Sequence, residues 1–266
     1  MKNRFLMSSL TFIMVLTTAL FTSVLLLEER VVSYLTQVVI NPTQFETNLE
    51  QAVEVAEFDF SIIEELGLLG VMPYIDADVF PIGELIIPAV EIHLPIFHGV
   101  SEAHISLGAA TLTPEARMGQ GNYSLASHYM PWGMLFGTLY QIQVGDLIVL
   151  RDETYLYLYK AISNEIISAY LVEIIDVVPD KKLVTLITCT PDGQQRVAVQ
   201  GAFIERILIS DGGVIETPEL INLEIELTAF LEIESIQFPW LFVLFAIIGS
   251  LSLAGLITWM VSRKKL

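Results

Sequence analysis

Residues 182–189 read KLVTLITC, and this stretch decides how the rest of the chain is interpreted. An unbroken run of Leu, Val, Ile and Thr is typical of a buried strand, and this run ends on Cys189. Residues 190–195, TPDGQQ, have the composition of a turn. Arg196 then opens the apolar run 197–199. If the two runs pair as a hairpin, Cys189 and Arg196 lie across from each other beside the turn.

Short apolar runs separated by turn residues continue on both sides of this hairpin. They are rich in Val, Ile, Leu, Tyr and Thr, and their spacing predicts an all-β sandwich or barrel. The predicted strands are residues 84–87, 90–92, 106–109, 147–150, 155–162, 171–178, 182–188, 197–199 and 203–209. Short helical turns are expected at residues 113–119 and 135–139. Residues 44–55 are polar enough for an exposed helix or a loose linker.

Two uncharged apolar segments account for a hydrophobic fraction of 53%. Residues 5–27 and 239–261 would each rise about 35 Å as helices, enough to cross a hydrocarbon core of about 30 Å. The first segment has an alternative interpretation as a cleaved signal peptide. It is longer than the usual apolar region, however, and LLLE at its end lacks small residues, so we expect an uncleaved anchor.

The distribution of charge orients these two predicted spans. Lys2 and Arg4 precede the first, and residues 263–265 (RKK) follow the second. All 31 acidic residues and the other eight basic residues lie between the spans, so the middle carries a net charge of −23. Because positive ends stay in the cytoplasm, both termini are predicted inside and residues 28–238 outside. The external charge argues against nucleic acid as a partner.

Cys189 is the only cysteine, which excludes an intrachain disulfide. A guanidinium such as that of Arg196 beside a thiol would favour the thiolate and donate to an oxyanion. An ordinary thiol, with a pKa of about 8.5, is only a few per cent ionised at pH 7. From these residues alone two interpretations stay open, because a lone Cys at a strand end is more often a small packed hydrophobe than a nucleophile.

A thiol catalyst also needs an acid to protonate a leaving amine, and histidine is the usual one. His128 ends the stretch YSLASH, where an apolar strand runs into a polar loop, so its side chain can project into a cleft. His93, His98 and His104 lie in segments without such an arrangement. We expect those three to be surface or turn residues.

Residues 185–189, Thr-Leu-Ile-Thr-Cys, match in full the signature Thr-Leu-x-Thr-Cys of the sortase family. Residues 121–128, GNYSLASH, resemble the segment that carries the family's catalytic histidine. Arg196 lies near where the family's arginine opens the next strand. The resemblance covers about residues 58–209. It implies the closed, eight-stranded sortase β-barrel with short helices, here flanked by two transmembrane helices.

The resemblance also implies an activity with three catalytic residues. Cys189 would attack the Thr–Gly bond of a Leu-Pro-x-Thr-Gly sorting signal on a surface protein and form a thioacyl-enzyme. Arg196 would hold the substrate and its oxyanion, and His128 would protonate the departing amine. An amine of a lipid-linked peptidoglycan precursor would then take over the acyl group. The resemblance implies no cofactor, and we expect no required metal.

Three further residues are implied in substrate binding. Thr188 would line the site, and the backbone amide of Thr190 would complete the oxyanion hole. Ala126, together with residues 163–178, resembles positions that hold the Leu-Pro part of the signal.

The class within the family is less clear from the motifs. Residues 94–100, 107–112 and 118–119 resemble the housekeeping, class A enzymes of streptococci and lactobacilli. The second membrane span and the Thr-Cys-Thr-Pro-x-Gly stretch at Cys189 are instead typical of class C pilin polymerases. Residues 28–82 contain no clear Asp-Pro-Phe or Asp-Pro-Trp lid, which is a strong mark of class C. We therefore favour cell-wall anchoring over pilus polymerisation.

We expect a membrane protein with an external catalytic domain, and its chain is expected to have five parts. The parts are a cytoplasmic N-terminus and membrane anchor (1–27), a stem (28–57), the catalytic barrel (58–210), an acidic linker (211–238), and a second span with a basic cytoplasmic tail (239–266). Two alternatives to transpeptidation stay open. One is a non-catalytic, membrane-tethered β-domain that binds a cell-wall partner, and the other is a hydrolytic cysteine peptidase.

Overall fold

The structure is a computed structural model that describes residues 15, 17, 18, 40–58, 72–74, 77–130 and 133–209. Within them lie the strands β1 (Pro81–Ile87), β2 (Ile92–Phe97), β3 (Ala109–Thr111), β4 (Asn122–Ala126), β5 (Leu147–Arg151), β6 (Tyr155–Ser168), β7 (Leu183–Cys189) and β8 (Gln195–Leu208). The α-helices are α1 (Phe45–Val55) and α2 (Glu102–Leu107). Short 3₁₀-helices are Pro42–Gln44, Met72–Tyr74, Pro88–Val90, Leu139–Gln141 and Val172–Ile175.

The eight strands form one closed barrel in the order β1-β2-β3-β4-β7-β8-β6-β5, and β5 pairs with β1 to close it. The pairs β2–β3 and β4–β7 are parallel, and the other pairs are antiparallel. Closure leaves no strand edge unpaired around the ring. The predicted all-β, eight-stranded barrel with short helices is therefore confirmed.

Alternation along the strands divides the barrel wall into an inner and an outer face. Leu85 and Ile87 of β1, Leu125 of β4 and Leu186 of β7 point inward into the main core, where Tyr159 is completely buried. A second, smaller core lies on the outer face. It contains Val100, Ile105, Ala110, Leu112 and Ala126, with Ile175 and Ile187 packed against it. This outer core includes Ala126 and Ile187, which lie two residues before residues of the candidate site described below.

Three of the predicted strands are wrong. Residues 90–92 contain the end of the 3₁₀-helix Pro88–Val90 and a left-handed Glu91, and β2 begins only at Ile92. Residues 106–107 end α2, which begins where the Ser101 side chain accepts a hydrogen bond from the His104 amide, and β3 starts only at Ala109. Residues 171–178 contain the 3₁₀-helix Val172–Ile175 rather than a strand. The two runs at 197–199 and 203–209 are parts of the single strand β8.

The polar segment before the barrel forms a helix that packs on it. Helix α1 follows a 3₁₀-turn whose start is capped by the Asn41 side chain. Phe45 and Ala52 are buried, and the Asn48 side chain donates to the Pro81 carbonyl oxygen at 2.7 Å. The predicted stem therefore contributes part of the folded core, because its few apolar residues lie on one face of the helix.

The two predicted membrane spans, residues 5–27 and 239–261, lie outside the described residues apart from positions 15, 17 and 18, and the acidic linker lies outside them entirely. In the part of the chain that the structure describes, none of the helices has the length and hydropathy needed to cross a membrane.

Candidate active site

The hairpin predicted at Cys189 is confirmed. Strands β7 and β8 pair antiparallel from Leu183↔Ala202 to Cys189↔Arg196, so the cysteine and the arginine form the last pair before the turn. The turn residues 190–194 follow directly. Consequently the thiol and the guanidinium start from neighbouring backbone positions at one edge of the barrel.

The parallel pairing of β4 with β7 brings His128 to the same edge. Ala126 is in register with Ile187, and one residue further the Ser127 amide still donates to the Ile187 carbonyl oxygen. Continuing this register by two residues places His128 beside Cys189. Adjacent strands lie about 4.8 Å apart. Strand β4 leads into His128 two residues after its end, β7 ends on Cys189, and β8 carries Arg196, so the strand order β4-β7-β8 puts the cysteine between the other two.

All three side chains belong to the outer face of the barrel. Tyr123 and Leu125 of β4 point into the main core, so Ala126 and His128 point outward. The same alternation puts Ile187 and Cys189 outside, because Leu186 is inside. His128 is 1% exposed and Cys189 6% exposed, while Arg196 is partly buried. The nucleophile candidate and the histidine are therefore buried rather than on an open surface.

Thr188 and Ala126, both predicted to bind substrate, have contacts within the protein. The Thr188 hydroxyl donates to the Ser127 carbonyl oxygen at 2.9 Å, and its side chain is buried. Ala126 belongs to the outer core, against which Ile175 of the β6–β7 connection packs. The part of 163–178 that reaches this core is the 3₁₀-helix Val172–Ile175, since residues 163–168 are still in β6. Their roles toward substrate stay predictions.

The turn between β7 and β8 is held by side-chain bonds. The Thr190 hydroxyl donates to Asp192 Oδ1 at 2.6 Å and accepts from the Gln195 amide at 3.1 Å. The hydrogen bond from Thr190 lowers the pKa of the Asp192 carboxyl. The Thr190 amide donates to the Gln195 carbonyl oxygen at 3.0 Å, so here it closes the hairpin instead of facing an oxyanion.

Arg196 is oriented by the same turn. Its Nη1 donates to the carbonyl oxygens of Gly193 at 3.1 Å and Gln195 at 3.0 Å. Gly193 has a φ of +68°, a conformation that glycine adopts without a steric penalty. Nη1 is thus held by the turn, and a guanidinium has further donors of the kind that can bind an anionic oxygen.

His128 lies in a pocket that disfavours its charged form. Burial lowers the pKa of His128 to about 4. Its amide donates to the Ile105 carbonyl oxygen of α2, and its carbonyl oxygen accepts from the Phe136 amide. The ring Nε2 lies 3.3 Å from Glu102 Oε2. Sequence reasoning missed Glu102, although Ser101 followed by an acidic residue is a signal for a helix start.

The other three histidines are not surface residues, contrary to expectation. His98 is buried and contacts the Thr111 hydroxyl at 3.4 Å, and burial lowers its pKa. His104 is partly buried, stacks on Phe97 and bonds to the Gly99 carbonyl oxygen, and burial lowers its pKa too. His93 pairs with a buried carboxylate on β1 at 3.0 Å. Strand β2 carries His93 and helix α2 carries His104, while His98 lies in the connection directly after β2.

A cavity of about 370 Å³ opens at the other end of β4. Thr113, Arg117, Asn122 and Asp176 are among its lining residues. Asn122 begins β4 and His128 follows its end, so this cavity is separate from the Cys189 site. Within the described residues, no group of three or more His, Cys, Asp or Glu side chains is arranged to hold a metal ion.

A thiol flanked by an imidazole and a guanidinium is suited to acyl transfer, because it combines a nucleophile, a proton donor and an oxyanion donor. Comparison with known proteins agrees with this arrangement. The family model described as "Sortase domain" matches residues 85–203, which include all three residues.

Among individual proteins, sortase A of Listeria monocytogenes is 35% identical over 138 residues, which are 50% of this chain and 61% of that protein. The putative sortase YwpE of Bacillus subtilis is 35% identical over 94 residues, 34% of this chain and 91% of that protein. The chain belongs to the sortase family.

The match to the sortase A relatives covers less than two thirds of their own length, 51 to 61%. The crystal structure of sortase C-3 from Streptococcus pneumoniae superposes with a TM-score of 0.50 at 22% identity, over 69% of this chain and 88% of that one. That likeness concerns the fold.

Proposed function

We propose that this protein is a cysteine transpeptidase that cleaves the Thr–Gly bond of a Leu-Pro-x-Thr-Gly sorting signal and transfers the surface protein to an amine. The observation that carries the proposal is that the positions of His128, Cys189 and Arg196 follow from the register of the adjacent strands β4, β7 and β8 at one barrel edge, with His128 just past the end of β4. The three groups are therefore preorganised before substrate arrives.

In the first half-reaction, the Cys189 thiolate attacks the threonine carbonyl carbon and a C–S bond forms. The carbonyl oxygen becomes an oxyanion, which the Arg196 guanidinium stabilises. One such donor is typically worth about 3 kcal/mol. As the C–N bond to glycine breaks, protonated His128 delivers its proton to the departing amine nitrogen, leaving a thioester and a neutral imidazole.

In the second half-reaction, the incoming amine attacks the thioester carbon. Neutral His128 accepts the proton from the amine, the C–S bond breaks, and the thiolate is regenerated. The low exposure of Cys189 and His128 supports transfer over hydrolysis, since a site that admits little water lengthens the life of the thioester.

The acceptor is proposed to be an amine of a lipid-linked peptidoglycan precursor, as in housekeeping anchoring. Support comes from the relatives named sortase A, which are 35 to 39% identical. The alternative is pilin polymerisation, for which the acceptor would be a lysine amine. It is favoured by the Thr-Cys-Thr-Pro-x-Gly stretch at the active-site turn.

The location proposed for this activity is the outer face of a cell membrane, with both termini in the cytoplasm. The support is the charge pattern, in which every acidic residue lies between two uncharged 23-residue segments with basic flanks. Protease digestion of intact cells tests it: cleavage of the barrel domain with protected terminal tags is expected, whereas a protected barrel would contradict it.

The test of the activity is product analysis with a fluorogenic Leu-Pro-x-Thr-Gly peptide and two competing amines. One amine is a peptidoglycan-type peptide with a free N-terminus, and the other is a pilin-type lysine peptide. We expect an amide product with the first. A preference for the lysine peptide would favour polymerisation, and release of the free acid alone would indicate a peptidase.

Cys189→Ala and Arg196→Lys serve as matched controls. The alanine variant should form no thioacyl-enzyme, and the lysine variant should keep charge but lose the forked donor geometry and most activity. Retained cleavage in Cys189→Ala would refute the proposal. For a non-catalytic β-domain, neither cleavage nor rapid reaction of Cys189 with a methanethiosulfonate reagent would be seen.

A further inference from the structure

A carboxylate from a distant part of the chain meets the active-site histidine. Glu102 is the first residue of α2, and its Oε2 lies 3.3 Å from His128 Nε2. The histidine side chain is 1% exposed and the glutamate side chain 27% exposed. Through this contact, helix α2 places a carboxylate against the His128 ring.

The position of Glu102 relative to His128 is set by the backbone, not by a flexible side chain alone. The His128 amide donates to the Ile105 carbonyl oxygen at 3.2 Å. The Ser127 hydroxyl donates to the Gly108 carbonyl oxygen at 2.7 Å, just past the end of α2. Because two consecutive residues of the strand extension are bonded to α2, the helix and the histidine form one unit.

The carboxylate has two physical effects on the imidazole. An acceptor at Nε2 favours the form in which Nε2 carries a proton, which leaves Nδ1 as the nitrogen that exchanges protons. A negative charge close to the ring also favours the imidazolium, in opposition to burial, which disfavours it. Since a leaving amine must be protonated, the imidazolium is the form the reaction requires.

We propose that Glu102 is a positioning residue that binds Nε2 of His128 and stabilises its imidazolium, so that the proton reaches the leaving amine from Nδ1. The inference rests on the acyl-transfer function proposed above and specifies how its acid is prepared. Glu102 acts through His128 and touches neither the sorting signal nor the reacting atoms.

Other titratable groups lie on the elements around His128. They are His104 on α2, Tyr129 in the following loop, Cys189 at the end of β7, Asp192 in the turn and Arg196 on β8. Arg196 disfavours the imidazolium and a Cys189 thiolate favours it. Glu102 contacts the ring nitrogen directly, with its Oε2 3.3 Å from Nε2.

The decisive measurement is an NMR titration of the His128 ring in the Cys189→Ala background, which removes coupling to the thiol. Glu102→Gln keeps the size and hydrogen-bonding capacity but removes the charge, and Glu102→Asp keeps the charge. Glu50→Gln on the exposed surface of α1 is the matched control. We expect Glu102→Gln to lower the titration midpoint by about 1 pH unit, or below the folded range. The titration midpoint of Glu102→Asp should lie between those of the parent protein and Glu102→Gln. Glu50→Gln should leave the midpoint unchanged.

Kinetics on the full-length enzyme provide the second readout. Glu102→Gln should reduce kcat about tenfold with little change in KM, and the limb of the pH profile that belongs to His128 should move to lower pH. An unchanged midpoint together with an unchanged profile would overturn the role of Glu102. If the wild-type enzyme cleaves no sorting peptide, the proposed function fails, while the NMR titration still decides whether Glu102 controls His128.

Discussion

The Thr188 hydroxyl donates a 2.9 Å hydrogen bond to the carbonyl oxygen of Ser127. Each partner immediately precedes a residue of the site, Cys189 in one strand and His128 in the other. This bond continues the parallel β4–β7 pairing beyond its last backbone pair. It therefore connects the two segments whose ends present the nucleophile and the acid.

Replacing Thr188 by Val tests this connection, because valine keeps the shape and removes the hydroxyl. The buried Ser127 carbonyl oxygen would lose a donor, at a cost of about 1–3 kcal/mol in unfolding free energy. We expect turnover to fall about tenfold or more, since small displacements of reacting groups are costly. Urea unfolding and peptide cleavage measure the two effects.

Thr185→Val is the matched control for this prediction. Thr185 lies in the middle of the β4–β7 pairing, and its hydroxyl donates at 2.6 Å to Oδ1 of Asn122, which begins β4 at the end away from the site. It should lose a similar amount of stability and keep much more activity. Equal activity losses in the two variants would show that stability, not alignment of the site, explains the effect.

Burial of His128 predicts a specific dependence of stability on pH. Its pKa is lowered from 6.5 to about 4, so between these values the unfolded chain takes up a proton that the native protein does not. Stability should therefore fall as the pH decreases from 6.5 toward 4, by up to about 3 kcal/mol from this group, and be unaffected above that window.

Urea unfolding at pH 7 and pH 4.5 measures the effect, with His128→Asn for comparison. The variant should lose less stability on acidification. His98 and His104, whose pKa values burial also lowers, contribute equally to both proteins and cancel in the difference. Parallel curves for the two proteins would contradict the assigned burial of His128.

The turn that carries Arg196 should be sensitive to loss of the Thr190 hydroxyl. Thr190→Ala removes the bonds to Asp192 and to the Gln195 amide, at an expected cost of about 1–2 kcal/mol. Because the same turn supplies the carbonyl oxygens that orient Arg196, we expect cleavage of the sorting peptide to fall several-fold. Thr190→Ser should restore both properties. Failure of serine to restore activity would indicate that the methyl group matters instead.

Helix α1 is predicted to stabilise the barrel rather than to act as a loose stem. Phe45 is 2% exposed, and Phe45→Ala should cost about 3–5 kcal/mol in unfolding free energy. Val53 on the same helix is 55% exposed, so Val53→Ala should change stability by less than about 0.5 kcal/mol. Thermal or urea unfolding of these two variants distinguishes a stabilising helix from a loose stem. Similarly small losses of unfolding free energy in both variants would favour the loose stem.

Much of the fold could be predicted from local patterns, and the errors have identifiable causes. The buried run ending at Cys189 and the turn after it are local features, so the hairpin follows from neighbouring residues. Residues 106–109 were predicted as a strand because a short apolar run does not distinguish a strand from one turn of helix. The outer ends of β6 and β8 carry mixed polar residues, which hides their full length of 14 residues.

By itself, the sequence determined the all-β class, the pairing of Cys189 with Arg196 and the candidate residues, because strand periodicity and turn chemistry act over a few neighbours. The tertiary structure decided which residues that are far apart in the sequence come close together. Register between β4 and β7 brings His128 beside Cys189, and packing of α2 on the outer face brings Glu102 to His128. Such contacts depend on how the closed barrel sets strand order and burial, which a local pattern does not encode.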